Sequence, residues 1–214
     1  MGYLPEAFIN MLAVLGWNDG TEQELFTLDE LIEKFSIERV SKAGAKFDFE
    51  KAKWFNHEYI KKAESTELKA TILQILSDRD ISVADGAYLE SVISLVKERL
   101  TFLQDFWEQA SFFFEQPKEY DLNAVKPKWN DDKTAFFREY VSGLNGGGST
   151  APEMEAAFKE LAQAKNIKVG ELMLPLRVML VGGKFGPGVF DIAALLGKEE
   201  TSARIENALL AFTS

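Results

Sequence analysis

The chain has 214 residues, enough for one large domain or two to three small ones around a sizeable core. Its 24 basic against 34 acidic side chains give a formal charge of −10, and 46% hydrophobic with 27% charged residues is the balance of a globular protein, not a disordered one. With no cysteine there is no disulfide framework, thiolate zinc site, iron–sulfur cluster or cysteine nucleophile, and the single histidine, His57, excludes a multi-histidine metal site.

The elements read as helices from the start. Pro5 suits a first turn, Phe8, Met11, Leu12 and Leu15 follow at helical spacing, and Gly16 is placed as a stop. Thr27 and Glu30 form a capping box that opens a helix through Leu31, Ile32 and Phe35. Asp48 reads as the N-cap of a short helix carrying Phe49, Ala52, Lys53 and Trp54, with His57 capping or packing near a helix start. Longer helices are predicted over 66–77, 86–100, 101–116, 132–143 and 151–165, then 169–181, 189–196 and 200–212, with Gly197 ending the middle one of the last three. β signals are scarce, so the predicted fold is all-α. Two boundaries stand out: the polar stretch 62–66, and Asn145-Gly146-Gly147-Gly148-Ser149, which reads as a flexible hinge. No run of eighteen apolar residues is present, and Met1 to Glu6 have no basic or apolar leader pattern. The expectation is a cytoplasmic, metal-free protein.

The acidic total argues against indiscriminate nucleic-acid binding, but the charge is uneven. In 41–62, Lys42, Lys46, Lys51, Lys53, Lys61 and Lys62 face only Asp48, Glu50 and Glu58, among Phe47, Phe49, Trp54, Phe55 and Tyr59. Basic residues interleaved with aromatics suit phosphates and exposed bases, and equally suit a solvated helix face over a buried ring cluster. In 165–190, Lys165, Lys168, Arg177 and Lys184 face Glu171 alone. There, Gly182-Gly183-Lys184-Phe185-Gly186-Pro187-Gly188 combines backbone amides, a cation and a ring in a stiff turn, equipment for an unpaired base or simply a helix–helix connection. Gly146-Gly147-Gly148-Ser149-Thr150 lacks the lysine and strand of a P-loop and reads as a linker. The carboxylate pairs, such as Asp131/Asp132 and Glu199/Glu200, sit at solvated helix ends, and Phe112-Phe113-Phe114 reads as core or a partner-facing cover. No catalytic site emerges from the residues.

Several segments in collinear order resemble one family, the C-terminal part of bacterial glutamyl-tRNA synthetase, a class I enzyme. They are Gly2-Tyr3-Leu4-Pro5-Glu6-Ala7 with Asn10 and Leu15-Gly16-Trp17; Phe26-Thr27-Leu28-Asp29-Glu30-Leu31-Ile32; Arg39-Val40-Ser41-Lys42; Phe47-Asp48; and Trp54-Phe55-Asn56. Lys97-Glu98-Arg99, Phe112-Phe113-Phe114 with Pro117, and Tyr120-Asp121 resemble the middle helical region. Pro175-Leu176-Arg177-Val178 with Gly182, Gly186-Pro187-Gly188-Val189-Phe190, and Leu196-Gly197-Lys198-Glu199 with Arg204 resemble the terminal anticodon-binding module.

The resemblance implies three helical modules: a stem-contact module at 1–65 and two anticodon-binding modules at 66–147 and 148–214. Neither the His-Ile-Gly-His-type ATP motif nor the lysine–serine loop of such enzymes occurs, and Ser41-Lys42 lies in the wrong context to be that loop. The chain therefore resembles a tRNA-binding fragment that begins just after the catalytic half, with Met1 at the cut. It is expected to be no enzyme by itself and to need no cofactor, ATP and Mg belonging to the parent. By resemblance the partner is tRNA(Glu), recognised through its anticodon arm, with no membrane involved and a monomer as the default. Arg177, Gly186, Pro187, Gly188 and Val189 are implied to contact anticodon bases, Pro187 and Val189 as an apolar shelf, with Arg99 as a second base contact. Lys184, Lys198 and Arg204, with Lys42, Lys46 and Lys53, would neutralise phosphates. The other role open to Arg177 is capping a helix end and pairing with Asp191. The alternative function is a helical protein–protein interaction or scaffold domain, supported by the acidic balance and by 17 Phe, 4 Trp and 5 Tyr.

Overall fold

The computed structural model describes residues 2–42, 44 and 46–213; Met1, Ala43, Ala45, Ser214 and the Thr213 side chain lie outside the described residues, and with them the expected cut at Met1. All regular structure among the described residues is helical, apart from one isolated antiparallel bridge between Trp17 and Val40. The chain forms two compact units, 1–108 and 109–214.

Unit 1 holds α1 (Pro5–Val14), α2 (Leu28–Lys34), α3 (Phe49–Lys62), α4 (Ser65–Ser77) and α5 (Gly86–Val96). Local chemistry sets their starts. Pro5 occupies the first turn of α1. At α2 the Glu30 amide donates to the Thr27 hydroxyl at 3.2 Å and the Thr27 amide to the Glu30 carboxylate at 2.7 Å. The Asp48 carboxylate accepts from the Glu50 and Lys51 amides. The helix it opens runs fourteen residues, longer than the short helix predicted. His57 consequently lies mid-helix, its Nδ1 2.9 Å from the Leu100 carbonyl oxygen. Met11, Ala52 and Phe55 pack α1 on α3, the buried Met11 and Phe55 side chains each contributing about 1.5–3 kcal/mol. Asn10 ties the following loop down: its side-chain oxygen accepts from the Phe26 amide and from the Tyr59 hydroxyl, both at 2.9 Å. Burial pushes the Tyr59 hydroxyl up to about 12, helped by the fields of Glu6 and Glu30.

The single helix predicted over 101–116 is instead broken into a 3-10 turn (Leu103–Asp105), α6 (Phe106–Ala110) and a second 3-10 turn (Ser111–Phe113). Leu103 and Phe112 are both buried, the first in unit 1 and the second in unit 2. The Asp105 carboxylate fixes the first break by accepting from the Thr101 and Phe102 amides. The predicted 86–100 helix likewise ends early, at Val96, in a 3-10 turn over Lys97–Arg99.

Unit 2 continues with α7 (Leu122–Val125), α8 (Asp131–Leu144), α9 (Ala151–Ala164), α10 (Val169–Val181), α11 (Val189–Leu196) and α12 (Lys198–Thr213). Its centre is an aromatic cluster. Phe158 of α9 meets Phe136 and Tyr140 of α8 edge-on at 5.0 Å each, and Phe190 of α11 at 5.4 Å. The 145–149 segment is therefore a loop between two packed helices, not a hinge between modules. Its end is held by Glu153, whose carboxylate accepts from the Ser149 and Thr150 amides and the Thr150 hydroxyl. Those bonds hold the Glu153 carboxyl below its ordinary value and engage the Ser149 and Thr150 amides with a carboxylate of this chain.

Candidate nucleic-acid interface

In unit 1 the basic–aromatic segment divides its labour. Phe55 is fully buried and Tyr59 half-buried, whereas Phe49 is 69% and Trp54 39% exposed. Lys42 and Lys46 are exposed. Lys53 pairs with Glu50 at 2.7 Å, which raises its pKa, while Lys51 pairs with Glu24 and Lys61 lies 4.0 Å from Glu58. These exposed pairs are weak enough to exchange a carboxylate for a phosphate. Arg99 is exposed at the end of the Lys97–Arg99 turn. An open cleft of about 910 Å³ elsewhere in the unit carries Glu6, Glu30 and Glu67 against Lys62, the wrong sign for a phosphate.

In unit 2 the loop from 182 to 188 joins α10 to α11 and is fixed at several points. Gly182 caps α10 at φ +81°, where an added Cβ would stand 2.7 Å from the Glu119 carbonyl oxygen, so only glycine fits. Its own carbonyl accepts from the Asp121 amide at 2.8 Å. Arg177 reaches from α10 across the loop, Nη1 donating to the carbonyls of Phe185 (3.1 Å), Gly186 (3.2 Å) and Pro187 (2.6 Å). Gly186, at φ +94°, lies against Phe112 and Ile192. The Asp191 carboxylate folds back over Gly188 at the start of α11. Lys184 is exposed, with Nζ 3.4 Å from Asp121.

Two sequence expectations change here. Arg204 is 2% exposed: its guanidinium donates to Glu200 (2.6 Å) and to the carbonyls of Phe112 (2.6 Å), Leu180 (2.8 Å) and Glu115 (3.4 Å). It holds helices together instead of meeting a phosphate, because burial with five donors demands internal acceptors. Pro187 and Val189 are buried as well, their side chains turned into the unit, so they form no shelf for a base. Gly186 is buried and Gly188 exposed. Lys198 is half-buried, its Nζ donating to the Gly147 carbonyl. The exposed aromatic that sequence reasoning left out of the contact set is Phe185, beside Lys184.

Among the described residues, no group of three or more His, Cys, Asp or Glu side chains converges to hold a metal ion, and no helix is long and apolar enough to cross a membrane.

The cation-bearing loop between α10 and α11 has the elements that an unpaired base and its phosphate would meet. Residues 50–209 match the anticodon binding domain family model, and the chain belongs to that family. Residues 1–54 match the model for the catalytic domain of class I tRNA synthetases (E and Q), a match that ends within α3. Similar proteins include glutamate–tRNA ligases of Flavobacterium johnsoniae (44% identical over 98% of this chain) and Porphyromonas gingivalis (44% over 97%). The chain spans only 42% and 41% of the length of those two relatives. The crystal structure of a glutamate tRNA ligase from Elizabethkingia meningosepticum, in complex with its amino acid, superposes with a TM-score of 0.91 at 36% identity, covering 99% of this chain and 42% of that one.

Proposed function

We propose that this chain is the tRNA-reading part of a glutamate–tRNA ligase, binding the anticodon arm of tRNA(Glu) and presenting that tRNA for aminoacylation in translation. The observation that carries the reading is the loop between α10 and α11, held rigid by Arg177 and offering Lys184, Phe185 and Gly188 to solvent, in a chain of the anticodon-binding family. Arg177 orders the base-facing loop, Lys184 serves a phosphate beside it, and Lys198 serves a further phosphate. Lys42, Lys46, Lys53 and Arg99 serve RNA contacts of unit 1.

Amino-acid activation, with its ATP and Mg, is an activity of the parent ligase, and tRNA binding by this chain needs no cofactor. The chain acts as a cytoplasmic monomer. Competition tests the reading: a stem–loop carrying the tRNA(Glu) anticodon should displace labelled tRNA(Glu) from the protein, and failure to displace it contradicts anticodon recognition. ATP–pyrophosphate exchange should stay at background; exchange above background would overturn the non-catalytic assignment.

A further inference from the structure

We propose that Phe185 is the stacking platform of this protein, a single ring on which one unpaired nucleobase of a bound RNA rests; the inference builds on the tRNA-binding reading above. Phe185 is 43% exposed. Among the described residues of unit 2, it is the one aromatic side chain that is exposed and not buried or half-buried.

Its other side is backed. An added Cβ on Gly183 would stand 2.8 Å from the ring, so the ring lies directly over that glycine, and the Phe112 ring sits 5.9 Å away at 59°. The backbone beneath it is tied to α10, because the Phe185 carbonyl is one of the three that accept from Arg177. A flat ring pre-positioned on a rigid backbone loses little entropy on stacking.

The surroundings select the ligand. The chain neighbours of Phe185 are Lys184 and Gly186, and the other exposed large apolar residues of the unit are Leu174 and Leu210, so the ring stands without a broad apolar patch of the kind a protein partner covers. A lone ring beside a cation matches a base and its phosphate. Stacking of this kind recognises that a base is unpaired more than which base it is, because every base offers a π-face.

The test titrates the wild type, Phe185→Leu, Phe185→Trp and Arg177→Ala with a tRNA(Glu) anticodon stem–loop carrying 2-aminopurine at each loop position in turn. Phe185→Leu keeps the apolar bulk and removes the π-face, so binding should weaken about 5- to 100-fold, while Phe185→Trp should bind as well as wild type. One loop position should show 2-aminopurine quenching that Phe185→Leu abolishes and Phe185→Trp retains. Equal binding and quenching by all the Phe185 proteins, with Arg177→Ala still impaired, overturns the platform and leaves the tRNA reading standing. Equal weakening by Leu and Trp also overturns it, since the side chain would then act through packing. A wild type that does not bind the stem–loop at all overturns both.

Discussion

Arg177 Nη1 donates to the Pro187 carbonyl at 2.6 Å, ten residues further along the chain, and to the two carbonyls before it. One guanidinium thus sets the path of the whole connection between α10 and α11. Replacing it with alanine strips a charged donor from three carbonyls, at a cost of about 1.5–3 kcal/mol per charged hydrogen bond in well-formed cases and less at this partly exposed site. The expected result for Arg177→Ala is faster amide exchange over 183–188 and weaker binding of tRNA(Glu). Arg177→Lys should behave like Ala in exchange, because the shorter, flexible and strongly hydrated ammonium lacks the fixed N–H directions that aim the guanidinium nitrogen at the loop. Unchanged exchange in both variants would show that the loop holds itself.

Lys184 has a different role. Its ammonium is exposed and only loosely paired with Asp121, so it is available to a phosphate. Lys184→Ala should weaken all tRNAs alike and lower the slope of log affinity against log salt by about 1. A loss confined to tRNA(Glu) would instead assign Lys184 to base recognition.

Arg204 should report on stability. Removing a buried, fully engaged guanidinium leaves the Phe112 and Leu180 carbonyls without their donor and Glu200 without its partner. Arg204→Ala should cost about 3–5 kcal/mol, read as a lower urea midpoint. Full stability with a reduced salt dependence of tRNA binding would mean that Arg204 faces RNA after all.

Acid should loosen the helix starts. Amide and hydroxyl donors hold Glu30 and Glu153 below the ordinary glutamate value of 4.5, the Thr27 and Thr150 amides contributing most. Carboxyls depressed in the folded state stabilise it above their unfolded pKa, and that contribution fades as pH falls through the folded value. The melting temperature should therefore decline below about pH 4.5. In Glu153→Gln the decline should be shallower, from a lower starting point at neutral pH. An identical pH profile would show that the cap does not contribute.

Helix ends were legible where one local device fixes them. Gly182 and Gly197, both at positive φ, close α10 and α11 where predicted, and Thr27 and Asp48 open α2 and α3. What escaped depends on contacts made far along the chain. Arg204, four residues after Glu200, looks like a surface pair until the Phe112 carbonyl, ninety-two residues away, accepts a hydrogen bond from it. Pro187 and Val189 turned inward for the same reason, leaving Phe185 as the exposed ring. Of the aromatic residues, whose excess also fitted a scaffold, Phe136, Tyr140, Phe158 and Phe190 went into the ring cluster of unit 2.

The most direct measurement of the central claim is a filter-binding titration of this chain with tRNA(Glu) and a non-cognate tRNA at two salt concentrations. Base recognition through the Arg177-held loop predicts a preference for tRNA(Glu) that persists at the higher salt, since phosphate contacts weaken there and base contacts do not. Equal affinity for both tRNAs, collapsing together as salt rises, would contradict it.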